Sequence, residues 1–169
     1  MKGCKNRGIT LLELIITMAI LLIVTSAIFS FFLSSNKSMN ALEEKNTIQN
    51  EGEAAINRLS ETTLNGSSIK AINGISFSEI TGDNINITTL VINNIYSSVE
   101  NQYKVENGKL FFKTSDKTSW ELLSNYVQSL VITPIKNNVG ATKGIKIVLI
   151  LQYKDALKTF TNQIYFRNN

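Results

Sequence analysis

The sequence predicts an α+β fold: a long N-terminal helix, transmembrane in its first part and amphipathic in its second, packed on an antiparallel β-sheet head. Three observations predict it. Apolar residues concentrate between Ile9 and Leu33. A stripe of small and apolar residues at spacings of three, four and seven continues toward Leu64. After Gly66 the hydrophobic period changes to two. The expected boundaries are a leader over 1–8, a transmembrane helix over 9–33, an amphipathic extension over 34–65 and a β-rich head over 66–169. A chain of 169 residues suits one compact domain plus an appendage.

The leader, MKGCKNRG, is short, basic and without an apolar stretch. It is followed by ITLLELIITMAILLIVTSAIFSFFL, which contains no proline, no glycine and a single charge, Glu13. As a helix rising about 1.5 Å per residue this run spans roughly 37 Å, more than the ~30 Å hydrocarbon core of a bilayer. Lys2, Lys5 and Arg7 precede it, so the positive-inside rule places Met1 in the cytoplasm and the residues beyond the span outside. An ordinary secretory signal fits poorly. Such signals have apolar regions of about 7–15 residues that end in a small-residue cleavage site. A plain signal anchor accommodates the length but leaves Glu13 unexplained, since a carboxylate at membrane depth costs roughly 2.5 kcal/mol or more.

Gly8-Ile9-Thr10-Leu11-Leu12-Glu13-Leu14-Ile15 resembles the signature of type IV prepilins and pseudopilins. In that family a basic leader ends in glycine, an apolar residue follows, and Thr-Leu-Leu/Ile-Glu opens a long apolar helix. The resemblance covers about the first 33 residues. It implies cleavage between Gly8 and Ile9 by a prepilin peptidase and N-methylation of Ile9. It also implies an assembly role for Thr10 and Glu13, whose carboxylate would meet an N-terminal ammonium. The implied partners are the peptidase, other pilins or pseudopilins and a membrane assembly platform. The implied location is the cytoplasmic membrane, with the head outside it, and then a filament.

The helix is expected to run on past the membrane. Ala41, Ile48, Gly52, Ala55, Ile56, Leu59 and Thr63 fall on one face, with Glu43, Glu44, Lys45, Gln49, Asn50 and Arg58 mostly off it. Asn65-Gly66-Ser67-Ser68 is a stop signal, with Gly66 as the C-cap.

In the head, Ile69–Ile72 and Ile75–Phe77 read as short strands around Asn73-Gly74, and 81–84 reads as a turn. Ile85–Val99 reads as one long strand-like tract. Gln102–Val105 and Leu110–Phe112 flank Asn107-Gly108, which suits a type I′ hairpin turn. Ser119–Asn125 is expected to form a helical turn carrying Trp120 and Leu123. Tyr126–Ile132 is expected to be a strand ended by Pro134, and 136–144 a loop. Ile145–Tyr153 and Lys158–Arg167 are the last strands, joined at Asp155-Ala156. Trp120, Tyr103 and Phe112 are expected in the core.

Composition narrows the function classes. Without the first eight residues, 14 basic side chains face 13 acidic ones, which is no basic footprint for nucleic acid. Cys4 is the single cysteine and there is no histidine, so neither an internal disulfide nor a Cys/His metal site is expected. No phosphate loop follows a strand and no histidine is available to a Ser or Cys nucleophile, so the chain is not expected to be an enzyme and no cofactor is expected. Asp83, Asp116 and Asp155 lie in turns, where carboxylates cap backbone N–H groups. Asp83-Asn84 or Ser115-Asp116 offers at most part of a calcium site. The order Tyr103, Asn107-Gly108, Leu110, Trp120-Glu121-Leu122-Leu123, Val127–Leu130 and Arg167-Asn168 resembles W-type minor pilins and J-type pseudopilins. The expected function is therefore a minor pilin or pseudopilin of a type IV pilus, a competence filament or a type II-like secretion machine. The alternative is a monomeric signal-anchored surface protein with an adhesin-like head.

Overall fold

The computed structural model describes residues 10–80, 82–136 and 142–166. Among the described residues one α-helix, α1 (Leu11–Leu64), precedes ten strands, with a 3-10 turn over Phe77–Glu79 where Phe77 is expected in a strand. Contacts divide the chain after Leu42 into two units, which are taken separately.

In the first unit α1 is continuous and its side chains are exposed except that of Ser35, which is half-buried. Its window of highest mean hydropathy reaches 2.6 and buries nothing inside the protein, so it is long and apolar enough to cross a membrane. Ala41, expected on the packed stripe, is exposed. Periodicity tells which face of a helix can be buried but not how far along the helix its neighbours extend.

In the second unit α1 buries Ile48, Gly52, Ala55, Ile56, Leu59, Ser60, Thr62 and Thr63. The strands are β1 (Gly66–Ile72), β2 (Ile75–Ser76), β3 (Ile85–Asn86), β4 (Thr89–Asn94) and β5 (Glu100–Glu106). They continue with β6 (Lys109–Thr114), β7 (Glu121–Ser124), β8 (Val127–Lys136), β9 (Thr142–Tyr153) and β10 (Ala156–Tyr165). A six-stranded sheet has the order β2-β1-β4-β5-β6-β7 and a four-stranded sheet the order β10-β9-β8-β3, with every pairing antiparallel. Inward residues of both sheets share one core with the helix, among them Leu59, Leu90, Tyr103, Leu110, Leu130 and Leu149.

Asn107 and Gly108 both have positive φ, 52° and 70°, and Glu106 pairs with Lys109, which is the type I′ geometry that Asn-Gly favours. Gly66 does not act as a left-handed cap, because Gly74 and Gly108 are the described glycines with φ in that region. It opens β1 instead, where a Cβ would lie 2.6 Å from Ile92 Cγ2 and 3.1 Å from Thr63 O. Close approach, rather than backbone freedom, explains this glycine.

The tract Ile85–Val99 is not one strand. β3 belongs to the four-stranded sheet and β4 to the six-stranded sheet, so the chain changes sheets at Ile87-Thr88. Ile87 N–H donates to Leu130 O on one sheet (2.7 Å), and Thr88 O accepts from Val105 N–H on the other (2.8 Å). Asn73 closes the gap. Its Oδ1 accepts from Thr88 N (2.7 Å), Thr88 Oγ1 (2.9 Å) and Thr89 N (3.1 Å), and its Nδ2 donates to Asn86 O (2.8 Å). The tract then ends in a turn in which Asn94 Oδ1 accepts from Tyr96 N–H and Ser97 Oγ from Val99 N–H.

Five further expectations are corrected. Glu121–Ser124 is an edge strand, β7, rather than a helical turn, because it hydrogen-bonds along β6 at Phe111 and Phe112. Trp120 is half-buried, with Lys104 and Lys113 ammonium groups 5.2 and 4.8 Å from its ring centroid, whereas Tyr103 and Phe112 are in the core. Pro134 lies inside β8. β3 pairs no farther than Ile132, so at Pro134 that flank of β8 is an edge, where a missing N–H breaks no ladder bond. With β8 reaching Lys136 and β9 starting at Thr142, the 136–144 loop is shorter than expected, and residues 137–141 lie outside the described residues. The last turn is Lys154-Asp155, with Ala156 already in β10.

Candidate functional site

Thr10 and Glu13 open α1. Thr10 Oγ1 accepts a hydrogen bond from Glu13 N–H (3.3 Å), and Thr10 O accepts from Leu14 N–H (3.1 Å). Thr10 is therefore the N-cap and Glu13 stands at the third helical position, the spacing of a capping box. The Thr-x-x-Glu pattern is legible in the sequence, but its capping role was missed there. Glu13 is the acidic residue of the first turn, where unsatisfied N–H groups and the helix dipole favour a negative charge. Among the described residues no ion pair forms to it.

The rest of the apolar helix leaves no side-chain hydroxyl of this stretch stranded. Before Leu33, Thr17, Thr25, Ser26 and Ser30 each donate to a backbone carbonyl three or four residues earlier, at 2.7–3.0 Å. Such bonds are what a polar side chain needs in a medium without water. Glu13 is then the polar group whose demand the helix does not meet internally. Around it Leu11, Leu12, Leu14 and Ile15 are each at least half exposed. The arrangement suits docking of one cation against a lipid-like surface. Lys2, Lys5, Arg7, Gly8 and Ile9 lie outside the described residues.

The head holds polar ties that the sequence did not reveal. Glu51, on α1, accepts from Ser124 Oγ (2.9 Å), Asn125 N (2.7 Å) and Asn125 Nδ2 (3.4 Å), joining the helix to the six-stranded sheet. Arg58 lies 4.8 Å over the Phe112 ring, and Thr62 hydrogen-bonds the Tyr103 hydroxyl. Burial pushes the Tyr103 hydroxyl pKa well above its ordinary value, against the opposing bond from Thr62. Toward the four-stranded sheet, Lys154 donates to Glu44 (3.0 Å), which raises the ammonium pKa, and Asn162 donates to Ser60 (2.7 Å). Among the described residues no cluster of three His, Cys, Asp or Glu could hold a metal ion.

Residues 3–29 match the family model of the prokaryotic N-terminal methylation motif, a stretch that includes Gly8, Ile9, Thr10 and Glu13. Neither the curated proteins nor the solved structures provide a match to the chain. With its long apolar N-terminal helix and antiparallel head, the match to this motif marks the chain as a type IV pilin-like prepilin precursor.

Proposed function

We propose that this precursor matures into a minor pilin or pseudopilin, similar to the W-type or J-type subunits, within a type IV pilus, competence filament or type II-like secretion machine. Prepilin peptidase cuts between Gly8 and Ile9 and the new terminus is N-methylated. Lys2, Lys5 and Arg7 keep the leader cytoplasmic, residues 9–33 span the membrane, 34–65 extend the helix, and the head over 66–169 lies outside. Glu13 carries the reading. Its carboxylate is favoured by the helix dipole in a first turn capped by Thr10, on an apolar stretch whose hydroxyls are otherwise satisfied, and it sits inside the matched motif. An ammonium at Ile9 of its own or a neighbouring subunit gives that charge a partner. A monomeric anchored protein needs neither Gly8 nor Glu13.

The test is the intact mass of the chain from membranes with and without prepilin peptidase. The expected product begins at methylated Ile9, and Gly8→Val should accumulate the 169-residue precursor. A chain that keeps Met1 when peptidase is present removes the reading.

A further inference from the structure

Asparagine precedes glycine at Asn65-Gly66, Asn73-Gly74 and Asn107-Gly108. Asparagine is a labile residue in water, and it is most labile in this pair. A glycine carries no side chain to hinder its own amide nitrogen from reaching the asparagine Cγ. The reaction needs the carboxamide and the following N–H to be free to move together. A residue tied into the fold must first open locally, and that opening slows the reaction.

The three sites are tied differently. Asn65 is held through its backbone: its N–H donates to Glu61 O and its carbonyl accepts from Ile95 N–H, both at 3.1 Å. Gly66 after it is buried. Asn73 is held through its side chain, which accepts from Thr88 N–H, Thr88 Oγ1 and Thr89 N–H and donates to Asn86 O. Turning that carboxamide toward Gly74 breaks all four bonds. Asn107 is held in neither way. It is exposed at the tip of the β5–β6 hairpin, and among the described residues neither its backbone nor its carboxamide has a hydrogen-bond partner. The Gly108 N–H has none either. A Cβ placed on Gly108 would meet only Val127 O, at 3.6 Å, so the tip is not packed in.

We propose that Asn107 is a site of covalent modification by water, converting to aspartate and isoaspartate while Asn65 and Asn73 are protected by the fold. Gly108 N bonds to Asn107 Cγ and its proton passes to solvent. The Cγ–Nδ2 bond breaks and Nδ2 leaves as ammonia. One water then opens the cyclic imide. Attack at Cγ restores the original main chain with an aspartate; attack at the Asn107 main-chain carbonyl leaves Gly108 joined through Cγ, an isoaspartate. The two products act differently on the hairpin. Asp-Gly is as suited to a type I′ turn as Asn-Gly. Isoaspartate adds Cβ to the main chain between Glu106 and Lys109, whose pairing fixes the two-residue loop. Gly108 O accepts from Val127 N–H (2.8 Å), which ties this hairpin of the six-stranded sheet to β8 of the four-stranded sheet. Isoaspartate therefore loosens that tie and aspartate does not.

The test incubates the full chain in detergent at mildly alkaline pH, with and without urea. Peptide mass spectrometry follows the exchange of one ammonia for one water at each Asn-Gly pair. In the folded chain Asn107 should convert at least tenfold faster than Asn65 and Asn73, and in urea the three rates should converge. A smaller ratio in the folded chain, or a ratio that survives in urea, overturns the proposal. A second measurement reads the consequence for the fold. The acidic fraction of the incubated chain should melt below Asn107→Asp, which carries the same charge without the added main-chain atom. Equal melting overturns the loosened tie.

Discussion

The two parts of α1 share one backbone conformation and differ in everything else. Up to Leu33 the helix is apolar around most of its circumference, and as far as Leu42 it buries none of its side chains within the chain. From Glu43 to Leu64 apolar and small residues hold one face, and that face is buried under two sheets. The helical backbone is therefore not what distinguishes a membrane or filament surface from a folded core. The angular distribution of side chains decides that. The first part leaves its contacts to be made with lipid or other helices, and the second completes them at home.

Glu13→Ala tests the difference most strongly. It should leave cleavage, membrane insertion and the melting of the head unchanged, yet cut incorporation into filaments by tenfold or more. Breaking a buried charge pair by removing one partner costs about 3–5 kcal/mol. Sheared-filament recovery and co-purification with other pilins measure it, and parent-level recovery removes Glu13 as the element that sets register.

Leu59→Ala should do the reverse. Leu59 is 0% exposed, and its truncation should destabilise the head by about 2–5 kcal/mol in a denaturant titration. Leu22→Ala, at a side chain 69% exposed, should leave the same titration unchanged. An equal effect at both positions would erase the contrast between the two parts.

Gly52→Ala sharpens it. In an exposed helix this change stabilises by roughly 0.5–1 kcal/mol. Here a Cβ would stand 2.0 Å from Phe160 Cε2, so the ring must move. The expected outcome is a net loss of about 1–3 kcal/mol, as for overpacking. Phe160→Leu should recover part of it in a double-mutant cycle. A gain in stability for Gly52→Ala alone would mean that the helix and β10 are less closely packed.

The smallest effect concerns alkaline pH. Because the folded pKa of Tyr103 is raised, its contribution is fully present below the unfolded value of about 10 and is lost as pH rises above it toward the folded value. Tyr103→Phe should flatten the fall in head stability above pH 10, and melting temperatures from pH 8 to 11 would measure it. A slope unchanged by Tyr103→Phe would assign the alkaline loss to other groups.

Much of this molecule is written locally. An unbroken apolar run, the stripe from Ile48 to Thr63, the Thr10-x-x-Glu13 cap and the Asn107-Gly108 turn each depend on residues within a few positions of one another, so their patterns survive in the sequence. The proposed processing residues Gly8 and Ile9 are read from the same kind of local pattern. What only the tertiary structure decided is where strands find partners. The change of sheets at Ile87-Thr88 depends on Asn73, and β7 is a strand because β6 lies beside it. Pro134 is tolerated because β3 stops short, and β10 ends its sheet because, among the described residues, no other strand pairs with its outer side. Period-two alternation marks which face of a strand is buried, but the same alternation fits any neighbour. Hydrogen bonds between residues far apart in the chain choose that neighbour, and they leave no spacing in the sequence to be read.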